Sequence, residues 1–160
     1  MNKPLVGVRI LDLTHMLAGP YAGMILADLG AETIKVEPLA GEGTRQLLAT
    51  DPENSLNGMG AYYLTLNRNK KSVAVDLKSE SGMAVFSRLV EASDIVLSNF
   101  AAEVPQRLGL DFETLSQVNP RIITCTVTGY GSEGPGANRP AFDQVAQASG
   151  GGMSITGSDW

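Results

Sequence analysis

Residues 6–37 read VGVRILDLTHMLAGPYAGMILADLGAETIKVE, and their order is strand, helix, strand. Val6 to Leu13 is aliphatic and β-branched, the composition of a buried pleated segment. Pro20 stands where a first helical residue belongs, Met24, Ile25 and Leu29 share one helical face, and Gly30 falls where a left-handed stop is expected. Thr33 to Glu37 is strand-like again. Strands joined through a helix pair in parallel, because a parallel crossover has to span a dozen or so residues.

The alternation continues along the chain. Residues 38–65 scatter Gly, Pro, Asn and Asp and read as irregular, with one short helix around Gly43 to Ala49. Ser72 to Leu77 is the third strand. A helix capped by Ser79 or Ser81 then runs to Ala92, with Met83, Phe86, Leu89 and Val90 as its apolar stripe. Asp94 to Ser98 is the fourth strand, followed by helical turns at 104–108 and 112–118 that Gly109 separates. Arg121 to Thr128 is the fifth strand, and a helix begins at Asp143. The fold expected is α/β, an open, doubly wound, mostly parallel Rossmann-like sheet with near-continuous apolar strands covered on both faces. Ligands of such sheets sit beyond the carboxyl ends of the strands, where the strand order reverses.

A chain of 160 residues accommodates one such domain. Twelve basic against seventeen acidic residues give a net charge of −5, which argues against nucleic acid or an anionic membrane as the partner. Cys125 is the sole cysteine and His15 the sole histidine, so neither an intrachain disulfide nor a zinc cluster is expected. Cys125 reads as a small buried hydrophobe in a central strand. With no signal-like or membrane-spanning apolar run, the expected location is cytoplasmic.

Gly129-Tyr130-Gly131-Ser132-Glu133-Gly134 spells G-x-G-x-x-G. A dinucleotide loop needs a helix opening directly on its glycines, and Pro135 to Pro140 cannot provide one. An NAD(P)-dependent oxidoreductase domain therefore rests on the spelling alone. The ribose reading of Glu37, at the end of strand two, lacks its partner loop. The turn Thr14 to Pro20, which leads into the first helix, is a site for an anion or a polar ligand edge, or else ordinary helix-start punctuation. His15 within it is read as structural, bonded to the backbone, in preference to a ligand-side group.

Four separated stretches, 11–37, LNRNKKSVAVDLK at 66–78, SNF at 98–100 and GYGSEGPGANRPAFDQVAQASGGGMSITG at 129–157, together resemble the N-terminal part of the class III coenzyme A transferases, the CaiB/BaiF family. The resemblance covers essentially the whole chain. It implies transfer of coenzyme A from an acyl-CoA to a carboxylic acid through a covalent aspartyl intermediate, with coenzyme A as co-substrate and no metal. It also implies that the glycine loop belongs to the active-site region and that its spelling is accidental. Carried over by position, coenzyme A contacts fall on Leu17 and Ala18, on Val75, Asp76, Leu77 and Lys78, on Asn99, Phe100 and Ala101, on Arg107, and on Pro140, Ala141, Phe142 and Asp143. Taken alone, Lys78 and Arg107 read as solvated surface charges, whereas the resemblance makes them phosphate partners. Pro38 replaces an arginine that some members set beside the adenine, and Phe142 replaces the catalytic histidine of the racemase branch.

No catalytic residue is assigned within the chain. The family's aspartate is expected about a dozen residues past Trp160, and neither Asp143, read as a helix N-cap or a structural hydrogen-bond acceptor, nor Asp159 falls at that position. The family forms interlocked homodimers with a second small domain and a C-terminal return to the large one. The expectation is therefore an N-terminal fragment or split-gene product, inactive alone, whose open edges expose apolar surface and whose missing part comes from a partner chain. A non-catalytic coenzyme A-binding or assembly module is the alternative.

Overall fold

The computed structural model describes residues 3–157. Five parallel strands form the main sheet: β1 (Arg9–Asp12), β2 (Glu32–Glu37), β5 (Lys70–Ala74), β6 (Ile95–Ser98) and β7 (Ile123–Thr126). They lie in the order β5-β2-β1-β6-β7, so the chain builds outward from β1 in one direction and then in the other. A two-stranded antiparallel hairpin, β3 (Ser55–Leu56) and β4 (Met59–Gly60), sits in the long excursion between β2 and β5. The helices are α1 (Ala18–Asp28), α2 (Ala61–Leu66), α3 (Glu80–Glu91), α4 (Val104–Leu108), α5 (Phe112–Val118) and α6 (Asp143–Ser149). The expected doubly wound sheet is present.

The two faces of the sheet are built from different chemistry. Beneath α3 and α5 lies an apolar core in which Leu11, Leu13, Val36 and Val96 from the sheet meet Phe86 and Val90 of α3 and Leu115 of α5. Burying one such side chain stabilises by about 1.5–3 kcal/mol. Ser79 caps α3 through its Oγ, which accepts the Gly82 amide at 3.0 Å. On the opposite face Ile10 and Leu97 form a smaller apolar cluster. Beside it, Asp12, Lys35 and Glu37 are buried to 3% exposure or less. The expectation of near-continuous apolar strands fails there, because each inward charged group has a partner; the buried Thr33 hydroxyl has none among the described residues. Lys70 Nζ is 2.7 Å from Asp12 Oδ2 and also donates to the Pro20 carbonyl. Lys35 Nζ donates to the Thr14 carbonyl at 2.7 Å.

Helix α1 fits over this polar layer because its inner surface is small. The buried residues are Gly19, Pro20, Gly23, Met24 and Ala27, while Ile25 and Leu29, expected on the core side with Met24, are exposed. A Cβ on Gly23 would come within 2.6 Å of Asp12 Oδ2, so the helix approaches the ion pair only without a side chain there. The helix also starts two residues before Pro20, which costs no hydrogen bond because first-turn amides have no intrahelical acceptor. Gly30, at φ 106°, is the left-handed stop expected.

Helix α2 went unread within the irregular stretch 38–65: it has six residues and no side-chain cap. The expected helix at 43–49 is a 3-10 turn over Gly43–Gln46. Arg45 in that turn ties the excursion to the sheet. Its Nε and Nη2 donate to the two Glu37 carboxylate oxygens at 2.7 and 2.6 Å, and its guanidinium lies 4.0 Å from the Tyr63 ring centroid. Ser72 and Tyr63 hydroxyls complete the set. Cys125 corrects an expectation, being exposed, because β7 is an edge strand and not a central one. Ile123 on the same strand is also exposed.

Burial alone would raise the Glu37 pKa, but the hydrogen bonds from Arg45, then Ser72, the Glu42 amide and Tyr63, hold it down to about 2 from 4.5. A depressed carboxyl contributes stability that is present above the unfolded pKa and is lost as pH falls from 4.5 towards 2. Arg45→Met should lower stability near neutrality by about 3 kcal/mol and flatten that acid limb. Urea midpoints measured between pH 2 and pH 6 check both effects.

Candidate functional site

A cleft of about 630 Å³ opens at the carboxyl ends of β1, β6 and β7. Its position follows from the topology. The turn after β1 leaves for one side of the sheet and the turn after β6 for the other, so a gap remains between them at the reversal point.

The turn His15 to Ala18 forms the first wall, and Asn99 to Ala102 form the second. Asn99 locks the two together, since its Oδ1 accepts the His15 amide at 2.8 Å and its Nδ2 donates to the His15 carbonyl at 2.7 Å. The side-chain amide thereby replaces a strand neighbour at the point where the ladder ends. The His15 ring packs against Phe100, with ring centroids 5.5 Å apart and planes tilted by 53°. The third wall comprises Val127 to Gly129 after β7 together with Arg139 to Asp143 and Ala146. Here the glycine loop has a packing role. A Cβ on Gly129 would lie 2.0 Å from that of Ala141, so the two segments cross only because residue 129 has none.

The lining is mostly apolar with a few polar groups, as small-molecule sites generally are. Of the expected contact residues it brings together Leu17, Ala18, Asn99, Phe100, Ala101, Pro140, Ala141, Phe142 and Asp143. It does not bring in Val75, Asp76, Leu77, Lys78 or Arg107. Val75 is buried in the apolar core, Leu77 packs against it, and Asp76 Oδ1 accepts the Lys78 amide in the turn that opens α3. That turn follows the edge strand β5, with β2 between it and the cleft. Lys78 and Arg107 are both exposed, and neither forms an ion pair among the described residues.

Of the two structural roles expected of Asp143, the structure has the hydrogen-bond acceptor and not the N-cap. The cap position is Phe142, and Asp143 is the first helical residue, its Oδ2 accepting from Gln147 at 2.6 Å. Asp159 lies outside the described residues. His15 corrects its structural reading: its own amide and carbonyl bond to the Asn99 side chain, while its ring, expected to bond to the backbone, forms no hydrogen bond among the described residues, packs against Phe100 and lines the cleft. Burial first, and the Lys35 charge second, lower the His15 pKa below 6.5 against the pull of Glu42, Asp12 and Glu37. Arg139 went unread because nothing in its local sequence distinguishes it from a loop cation. The dinucleotide alternative loses ground: α6 begins nine residues after Gly134, and Glu37 is filled by protein donors.

The model of "CoA-transferase family III" matches residues 5–159. The chain is 43% identical to the succinate–glutarate CoA-transferase of Agrobacterium fabrum over 98% of its own length and 40% of that protein's. It is 45% identical to the human succinyl-CoA:glutarate CoA-transferase over 98% of its length and 35% of the relative's. The crystal structure of a CaiB/BaiF family protein from Brucella suis superposes with a TM-score of 0.89 at 39% identity, covering 98% of this chain and 42% of that one. The chain thus spans about two fifths of the length of the curated relatives it matches.

Two outcomes follow from the cleft's geometry. His15, as the single histidine, should titrate by proton NMR with a midpoint below 6.5 in the folded chain and near 6.5 in urea. Asn99→Ala removes both bonds between the walls and should cost about 1–3 kcal/mol in chemical denaturation.

Proposed function

Because the chain belongs to CoA-transferase family III, we propose that residues 1–160 supply the coenzyme A-binding part of an enzyme that moves coenzyme A from an acyl-CoA to a carboxylic acid. The observation that carries this reading is the coincidence of the loops after β1 and β6 and the segment leading into α6 in one largely apolar cleft at the strand-order reversal. These segments hold nine of the fourteen residues on which the sequence resemblance puts the carrier; the 75–78 turn and Arg107 lie outside the cleft. The apolar walls suit the pantetheine arm and exclude water from the thioester. Lys78, in the turn after β5, and Arg107, in α4 after β6, lie outside the cleft and are assigned to the phosphate end of the carrier.

An aspartate carboxylate attacks the thioester carbonyl, forming an acyl–enzyme anhydride and releasing the coenzyme A thiolate. The thiolate then attacks the enzyme's own carbonyl of that anhydride, giving an enzyme thioester and the free donor acid. An acceptor carboxylate repeats the two steps in reverse order, leaving with coenzyme A and restoring the aspartate. Stabilisation of the oxyanions that form on the way is assigned to backbone amides of the cleft loops. Asp143 lines the cleft but is engaged by Gln147, and the attack is assigned to an aspartate outside residues 1–160. The acceptor class is a short dicarboxylic acid, as the names of the two transferase relatives support. Arg139 is the cationic side chain that faces the cleft. A homodimer, and completion of the site by further polypeptide, belong to the same reading.

Isothermal titration should show binding of coenzyme A and none of NADH, and the reverse result would overturn the assignment. Residues 1–160 incubated with succinyl-CoA should show no covalent adduct by intact mass spectrometry.

A further inference from the structure

Met16, Leu48, Asn57 and Asn69 are the non-glycine residues with left-handed φ among those described, and of these Met16 lines the cleft. Its φ of 66° is a conformation that costs an ordinary side chain about 1–2 kcal/mol. Such strain persists only where the surroundings over-determine it.

Two side chains hold the peptide that enters Met16: Asn99 at its carbonyl end, through His15, and Glu42 at its amide end. Glu42 is 2% exposed and forms no ion pair among the described residues. Its Oε1 accepts the Met16 amide at 3.2 Å, and its Oε2 accepts from the Thr44 hydroxyl. Glu42 is itself held, because its own amide donates to Glu37 Oε2 at 2.8 Å, and Arg45 grips that carboxylate with two bonds. A continuous path runs from Arg45 through Glu37 and Glu42 to the first wall of the cleft. Glu42 does not line the cleft, so whatever it does for a ligand it does through Met16.

We propose that Glu42 is a positioning residue: by accepting the Met16 amide it keeps that residue left-handed and fixes the direction in which Leu17 and Ala18 face the bound carrier. This rests on the coenzyme A reading of the cleft. What matters is the acceptor oxygen, at the right reach, and not the charge. Without it the Met16 amide loses its partner, the turn beyond His15 relaxes towards right-handed φ, and Leu17 and Ala18 move out of register with the Asn99 side, which still holds His15.

The test uses the enzyme expressed from its complete reading frame. Glu42→Ala should weaken coenzyme A binding by calorimetry about tenfold and raise KM for succinyl-CoA similarly, with kcat at saturation changed less than about threefold. Glu42→Gln keeps the acceptor oxygen and should restore both constants to within about twofold of wild type. Thr44→Val leaves the Met16 bond intact, and should lower the melting temperature without moving coenzyme A affinity. Equal loss of affinity in Glu42→Gln and Glu42→Ala would overturn the proposal, as would affinity that falls in step with stability in Thr44→Val. Should Glu42→Ala fail to fold, Glu42→Asp withdraws the oxygen by one methylene, and undiminished coenzyme A affinity in that variant would also overturn it. Wild-type enzyme that binds no coenzyme A removes the reading of the cleft and this proposal with it. A wild type that binds while the variants match it removes only the proposal.

Discussion

The reversal of strand order between β1 and β6 is the constraint on which the rest depends. Neighbouring parallel strands whose connections leave in opposite directions cannot close over their own tips, so a groove is an unavoidable by-product of the winding. A gap between two loops is not yet a site, because loops that end a ladder have unpaired amides and carbonyls and would each settle independently. The two-way bond from Asn99 to the His15 backbone turns adjacency into fixed geometry.

The asymmetry of the two sheet faces answers a packing problem that the topology sets. The face under α3 and α5 is filled with Leu, Val, Ile and Phe and has no chemistry to orient. The face under α1 carries charge close to the cleft, and burying those groups unpaired would be prohibitive. Small residues on α1 let the helix come down onto the Asp12–Lys70 pair. The polar layer then continues through Lys35 and Thr14 into the first wall. The scaffold and the site are thus made of the same hydrogen bonds on this side, and of separate ones on the other.

What could be read from the sequence was what depends on local pattern. Alternation of strands and helices, the Ser79 cap, the Gly30 and Gly109 stops and the parallel pairing all follow from residue type at fixed offsets, and the structure has them. What could not be read depends on partners distant in the chain. Lys35 and Glu37 alternate with Ile34 and Val36 as if they faced water, yet both are buried, because Thr14 and Arg45 reach them from elsewhere. Helix α2 is stabilised through Tyr63, whose hydroxyl meets Glu37 twenty-six residues earlier in the chain. Cys125 looked central because its strand is apolar, and only the strand order makes it an edge residue. For the cleft, the loops after β1 and β6 were legible from topology, whereas the exclusion of the 75–78 turn needed the position of β5 two places from β1.

The Lys70 brace has one more effect. It starts on edge strand β5 and ends on β1, and so ties together two strands that are not neighbours in the sheet and share no backbone bonds. Side chains alternate across a strand, so a slip of one residue would turn Lys70 out to solvent on the wrong side and abandon Asp12 in the interior. A parallel sheet stitched only by Val and Ile tolerates several alignments of nearly equal energy. With this ammonium as its key, β5 engages in a single register, and the edge of the sheet is set by a charge in its middle.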